Sequence, residues 1–473
     1  MQIPALQELT ALIAITTEPL YLVGGSVRDL LLGDENIRDI DLLMPFGSED
    51  VARRFADKIG GAFFFLDVER KITRVVLRSR AGGYQFDFTN FDGAGLDEDL
   101  GRRDFTVNAM ALDLRRFLAS RSLDDVIDRF GGREDVRQKR IRAADPRVFD
   151  NDPLRLLRAV RFAATLGFSL DDRTAVEIRK RREQLAAPSR ERVRDEFFRI
   201  LDRPGAERHL VMLDNLGLLD VLLPELAPLR DFRPGKHHRY DIFTHSLKAA
   251  DYVDSVLGEI ETLAPRHGAA IREHLDEWLE QTVSRMAALR FACVLHDIAK
   301  AETYSVDPGG DVHFFGHDQQ GADLVKEICS RFRLSRKTVA VVEKLVRHHM
   351  RPLGLSVPSG PSKRALYRYC RDLTDALPES IILSLSDAKA TAEVMPAEGF
   401  TDTRHTAGVI LEFYYGRFLK TEAKPLVTGQ DLIDRGMRPG PRFREILQDV
   451  RERQSEGILR DRNEALAYIA GIH

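Results

Sequence analysis

Cysteine is scarce in this chain. Three in 473 residues, Cys293, Cys329 and Cys370, are too scattered for a zinc spacing or a disulfide framework and point to a reducing compartment. No apolar run approaches the ~18 residues that cross a bilayer. The opening residues, MQIPALQELTALIAI, lack the basic stretch of a secretory signal. These absences predict a cytoplasmic protein with no membrane partner. There is no excess of charge of one sign either: 71 Lys and Arg against 74 Asp and Glu leave −3, which argues against a uniformly basic nucleic-acid coat. Internal repeats and low-complexity tails are also missing.

What is present fits a multidomain globular protein, with 43% hydrophobic and 31% charged residues. The first ~115 residues alternate helix-like and strand-like segments, with strands over Tyr21–Val23, Ile40–Met44, Ala62–Phe65, Ile72–Leu77 and Tyr84–Thr89. From about residue 145 helical periodicity takes over, as in Leu154–Leu166, Arg192–Leu201 and Leu210–Leu219. A polar break at Arg230–Lys236 and a Pro/Gly/Ser loop over Pro352–Pro361 punctuate the helical part. Arginine concentrates between Arg129 and Arg203, where a phosphate backbone is expected beside a catalytic site.

Two stretches near the start carry chemistry. Leu22-Val23-Gly24-Gly25-Ser26-Val27-Arg28 reads as a strand ending in a tight turn, with Ser26 expected to cap a short helix. Such a turn offers backbone N–H groups to phosphate oxygens. Asp39 and Asp41 follow, two apart on a strand and so on one face, where they can hold divalent cations. Asp87, in Phe86-Asp87-Phe88-Thr89, is the candidate third carboxylate, its aromatic neighbours buried on the opposite face.

Two later signatures extend this reading. One is Arg102-Arg103-Asp104-Phe105-Thr106-Val107-Asn108-Ala109-Met110. The other is Asp152-Pro153-Leu154-Arg155-Leu156-Leu157-Arg158-Ala159-Val160-Arg161. Asp152 and Arg155, three apart, are expected on one helix face. An Asp accepts from an exocyclic amine and an Arg donates to a ring nitrogen or carbonyl, a pairing that admits C and A and rejects U and G. Together the stretches resemble the DNA-polymerase-beta-like nucleotidyltransferase superfamily, and within it the class II tRNA nucleotidyltransferase and bacterial poly(A) polymerase family. The likeness runs over about residues 20–225 and includes the family's RRDFTxNAM and EDxxR motifs, with Asn151 in place of the usual Glu.

A second constellation lies downstream: His245, His296-Asp297, His317, His349 and Asp387. Imidazole and carboxylate suit Mn, Fe, Ni, Co or Mg. The order resembles the HD-domain metal phosphohydrolases.

The resemblances imply an α/β polymerase-beta-like head followed by an all-α neck, body and HD domain. The boundaries are 1–140 for the head, 141–230 for neck and body, 231–400 for the HD domain and 401–473 for a C-terminal helical segment. In the head they imply Mg²⁺ on Asp39, Asp41 and Asp87. Nucleotide contacts would come from Gly24, Gly25, Ser26, Arg28, Arg103, Asp104, Asn108, Asp152, Arg155, Arg158 and Arg161. The implied partners are tRNA or other RNA 3′ ends, ATP and CTP. The resemblance leaves CCA, CC or A addition open, with a poly(A) polymerase or an HD phosphohydrolase with a nucleotide-binding head as alternatives. One departure favours C or CC addition. Only Asn90–Gly95 separates the third head strand from the acidic run before RRDFT, where the family has a flexible loop that helps exchange C for A.

Overall fold

The computed structural model describes residues 5–34, 37–69, 71–78, 83–233, 240–357, 359–392 and 398–472. Residues 234–236 of the polar break and Pro358 therefore lie outside the described residues. The chain forms two compact units, 1–188 with 216–218, and 189–215 with 219–473.

In the first unit, α1 (Leu6–Ile15) precedes β1 (Tyr21–Val23), α2 (Gly25–Leu31), β2 (Asp39–Met44), α3 (Ser48–Ile59), β3 (Ala62–Asp67), β4 (Ile72–Leu77) and β5 (Tyr84–Asn90). Then come α4 (Leu96–Arg102), β6 (Met110–Asp113), α5 (Leu114–Ser120), β7 (Ile127–Asp128) and α6 (Gly132–Arg137). The seven strands form one sheet in the order β3-β4-β5-β2-β1-β6-β7, in which only β2 and β5 run parallel. Residues β6 and β7 were not foreseen as strands. β6 is short and almost wholly buried, so it lacks the alternation that marks a strand in sequence.

One face of the sheet is sealed by α3. Its Phe55 packs edge-on against Phe86, ring centroids 5.0 Å apart, and beside Phe88. Both strand aromatics are fully buried. Strand alternation then sends Asp87 to the opposite face, as expected. After a short pairing of β8 (Arg140–Ile141) with β9 (Ser169–Leu170), the helical part of this unit contains α7 (Val148–Asn151), α8 (Arg155–Leu166) and α9 (Asp172–Arg181).

The second unit is mainly helical. The helix Arg285–Leu295 is buried along its whole length, including two arginines. Arg285 is neutralised by Glu379 at 2.7 Å and Asp375 at 2.6 Å, which is what a charge at 2% exposure requires. Around it stand the helices Ile242–Gly258, His317–Arg331, Arg336–His348 and Leu377–Ala392. The C-terminal helices build a cluster of their own from Val427, Leu432, Ile446, Val450 and Ile469.

Two expectations need correction. The loop over Pro352–Pro361 begins as a helix, Arg351–Leu355, because proline is tolerated in a first turn. The helix expected to reach Leu219 stops at Asn215, where Gly217 takes a φ of +70°. All three cysteines are free and buried. Among the described residues, no helix is long and apolar enough to cross a membrane.

Candidate active site

The first unit holds a cavity of about 420 Å³, within the range of small-molecule sites. Its lining joins the two ends of the sequence pattern: Gly24, Gly25, Arg28 and Asp41 from the β1–β2 region, and Asp152, Arg155, Arg158 and Arg161 from the helical part. Arg103, Asp104 and Asn108 complete it, together with Phe162.

Gly24 must be glycine. Its φ is +66°, and a Cβ there would lie 3.0 Å from Arg103 Nη1 and 3.1 Å from Asp41 Oδ2. The backbone therefore approaches the carboxylate as closely as it can. Ser26 departs from expectation. It lies inside α2 without capping it, is buried, and is absent from the cavity lining. Its hydroxyl donates to the Asp39 carbonyl at 3.2 Å and accepts from the Asp41 N–H at 2.9 Å. Ser26 thus aligns the carboxylate-bearing strand with the glycine turn.

The three carboxylates share the open face of the sheet. Asp41 stands directly opposite Asp87 in the β2–β5 register, with Asp39 two residues back. Burial pushes the Asp41 carboxyl up to about 6, with Asp87 and Asp39 raising it further and Arg103 opposing. A crowded acid beside a glycine cradle suits a divalent cation, and Asp39 and Asp41 are the donors placed to take one. Asp87 is not simply available to metal: Arg74 of β4 donates Nε and Nη2 to its two oxygens at 2.6 and 2.7 Å. Only side-chain distances in the folded chain reveal that pairing.

Behind the glycine turn runs a chain of polar contacts. Arg28 Nη1 donates to Asn108 Oδ1 at 2.7 Å, and Asn108 Nδ2 donates to Asp104 Oδ1 at 3.0 Å. Arg158 donates to Asp104 Oδ2 through Nε and Nη2, at 3.0 and 2.6 Å. Burial opposes the Asp104 charge, but Arg158 and Asn108 outweigh it and hold the carboxyl below its ordinary range. Asp104 is therefore an anchor for the arginines as well as a lining residue. Phe162 adds a second support: the guanidiniums of Arg161, Arg158 and Arg28 lie 4.2, 5.4 and 5.7 Å from its ring centre.

Asp152 and Arg155 do not share a helix. Asp152 is extended, at the end of α7, and Arg155 is the first residue of α8. Both still face the cavity. Arg155 Nη1 donates to the carbonyl of Arg102 at 2.9 Å, which ties it to the end of α4.

The second unit gathers the other constellation. Ligand atoms of His245, His296 and Asp297 lie within 4.8 Å of one another, and so do those of Asp297, His317 and His349. Asp387 Oδ1 is 2.9 Å from His245 Nε2 and 3.7 Å from His296 Nε2. The Nδ1 atoms of His296, His317 and His349 are 2.7, 2.8 and 2.7 Å from the carbonyls of Cys293, Phe314 and Val346. Those carbonyls place a hydrogen on Nδ1 and turn each Nε2 lone pair inward, the ligating tautomer. His296 Nε2 and Asp297 Oδ1 are buried without a hydrogen-bond partner. Burial disfavours a charged His296, yet Asp297 and Asp387 push it up to about 10. Lys300, which the sequence reading did not single out, reaches Asp297 Oδ2 at 2.7 Å from the turn that follows the helix Arg285–Leu295.

Comparisons with known proteins agree with this geometry. Residues 20–142 match the poly A polymerase head domain, 167–229 the probable RNA and SrmB-binding site of polymerase A, and 242–392 the HD domain. The chain is 33% identical to the A-adding tRNA nucleotidyltransferase of Deinococcus radiodurans, over 95% of this chain and 94% of that one. It is 31% identical to the CC-adding tRNA nucleotidyltransferase of Thermus thermophilus, over 96% and 94%. A crystal structure of the Bacillus stearothermophilus CCA-adding enzyme in complex with CTP shares the fold. Its TM-score is 0.62 at 23% identity, covering 99% of this chain and 98% of that one.

Proposed function

This chain belongs to the tRNA nucleotidyltransferase family, and from that membership we propose that it extends tRNA 3′ ends with C or CC from CTP, without a template, and stops before A. The observation that carries the reading is the joining of Asp41, the Gly24–Gly25 turn and the Asp152–Arg155 pair around one cavity.

The RNA 3′-hydroxyl oxygen attacks the α-phosphorus of CTP as the bond to the leaving pyrophosphate breaks, and the hydroxyl proton passes to water. Asp39 and Asp41, with Asp87 across from Asp41 on the neighbouring strand, would hold Mg²⁺, which would neutralise charge on the hydroxyl and the phosphates. Arg28, Arg158 and Arg161, oriented by Asn108, Asp104 and Phe162, meet the triphosphate and ribose together with Arg103, which Asp99 holds at 3.2 Å. Asp152 accepts from the cytosine amine, and Arg155 donates to the ring nitrogen and carbonyl.

The stop after CC rests on a short, tied connection. Five residues, 91–95, join β5 to α4. Within them the Asp92 N–H donates to Asp99 at 2.9 Å and the Ala94 N–H to Glu98 at 2.8 Å. Arg102 pairs with both Asp92 and Glu98, and the Arg102 carbonyl holds Arg155. The base-reading arginine is thus fastened to a segment with no slack, and the pair keeps one setting. Extension of a tRNA lacking its CCA end, with CTP and ATP together, tests this: the product ends in CC, and a product ending in CCA or in A alone refutes it.

The second unit acts as a metal-dependent phosphohydrolase, with Mn, Ni, Co, Fe or Mg on His245, His296, Asp297, His317, His349 and Asp387. Removal of a terminal or 2′,3′-cyclic phosphate from RNA would restore the hydroxyl that the head needs. The substrate class and the three reduced thiols favour a cytoplasmic location.

A further inference from the structure

The nucleotide cavity lies on one flank of β2. Its lining comes from the β1–α2 turn, α8 and the loop before β6. In-line transfer requires the attacking hydroxyl to approach the α-phosphorus from the side opposite the leaving pyrophosphate. A primer approaching from the side away from the cavity would cross the other flank, over β5, β4 and β3. The register there forms one row on the open face: Asp41, Asp87, Arg74 and Phe64 are successive partners across β2, β5, β4 and β3. Arg74, bound to both oxygens of Asp87, stands in the middle of the row, between the carboxylates and the sheet edge.

Phe64 ends that row and is 42% exposed. Its neighbours Phe63 and Phe65 turn to the other face, where the Arg53 guanidinium covers them at 4.3 and 5.7 Å. Leu66, two residues on, is 45% exposed. Edge strands ordinarily carry charge at such positions, because an exposed apolar edge invites pairing with other chains. A bare aromatic in line with the carboxylates instead has the make-up of a platform on which a base of a single strand stacks. Three strand spacings of about 4.8 Å separate the Phe64 and Asp41 backbones, roughly 14 Å. A single strand whose 3′ end sits at the carboxylates reaches Phe64 with a base upstream of its terminus.

We propose that Phe64, with Leu66 beside it, is the stacking platform for the unpaired 3′ strand of the RNA primer. The inference rests on the nucleotidyl-transfer reading of the head. A second copy of this chain paired along the β3 edge is the competing occupant, and the Asp41–Asp87–Arg74 alignment favours RNA.

The test uses the full chain and a tRNA acceptor-stem RNA with 2-aminopurine placed in turn at each unpaired 3′ position. No nucleotide is added. Stacking on Phe64 quenches the fluorescence at one upstream position; Phe64→Ala removes that quench and Phe64→Trp keeps it. In steady-state extension, Phe64→Ala raises KM for RNA about tenfold and leaves KM for CTP unchanged. Quenching that survives Phe64→Ala overturns the proposal. So does a Phe64→Ala variant with unchanged KM for RNA that converts a dimer to a monomer in sedimentation. Absence of incorporation by the wild type would overturn the transferase reading instead, and the quench is still readable in that case.

Discussion

Asp104→Asn is the sharpest perturbation of the head. The wild-type carboxylate accepts from Arg158 Nε and Nη2 on one oxygen, and from Asn108 Nδ2 and the Phe105 N–H on the other. Asparagine has the same size but one acceptor oxygen. Either rotamer turns its NH₂ toward donors, toward Arg158 or toward Asn108 and Phe105. The loss of charge-assisted bonds is worth ~1.5–3 kcal/mol. Because the Arg158 side chain is 34% exposed, solvent screening discounts this to ~2 kcal/mol. If the loss is felt as misplaced Arg158, Asn108 and Arg28, kcat/KM for CTP falls about 30-fold. Phosphoester hydrolysis in the second unit is unaffected. Primer extension over a CTP series gives both parameters. The folded Asp104 carboxyl lies below its ordinary value, so its stabilisation is complete above the ordinary Asp range and fades as pH falls through the lower folded value. The Tm gap between wild type and Asp104→Asn should therefore be full at pH 7 and close below about pH 4. A kcat/KM within twofold of wild type would refute the anchoring role of Asp104.

His296→Ala combined with Asp297→Ala should abolish metal-dependent hydrolysis of 2′,3′-cyclic or terminal phosphates and spare CTP incorporation; a wild type inactive on these substrates with Mn²⁺, Ni²⁺, Co²⁺ or Mg²⁺ would make the HD site structural. Metal-free Asp41 holds its proton up to about pH 6. Half-saturating Mg²⁺ for incorporation should thus be flat above that pH and climb about tenfold per unit below it; a flat response down to pH 5 would remove Asp41 from the metal site. Through the same raised value, the metal-free head loses stability as pH rises from the ordinary Asp range to about 6, and Mg²⁺ restores it, which thermal melts with and without Mg²⁺ would register. Ser26→Ala should lower kcat several-fold with KM for CTP nearly unchanged, since the hydroxyl spans Asp39 and Asp41 outside the cavity; a large rise in KM would put it on the triphosphate.

The motifs made the head and the HD domain legible, and most of the residues they single out come together around one cavity or one histidine cluster. The strands with alternating aromatics, such as Phe86-Asp87-Phe88, were equally plain. Hidden were the features that depend on which side chains meet. Arg74 reads as one basic residue in a strand until β4 and β5 align it with Asp87. Ser26 has the composition of a cap, but its hydroxyl is drawn to β2, fifteen residues away in sequence at Asp41. The Asp152–Arg155 spacing suggested one helix, whereas Pro153 keeps Asp152 extended and starts the next helix after it. Phe162 directly follows the second signature, yet nothing local marks it as the ring on which three arginines converge.

The central claim is that Asp39 and Asp41 drive nucleotide transfer to an RNA 3′ end. Labelled CTP, Mg²⁺ and a tRNA lacking its CCA end, incubated with wild type and with the Asp39→Ala, Asp41→Ala double variant, test it directly. Labelled tRNA is expected with wild type and none with the double variant, whose phosphoester hydrolysis persists. Label on the tRNA at the wild-type rate with both carboxylates removed would contradict it.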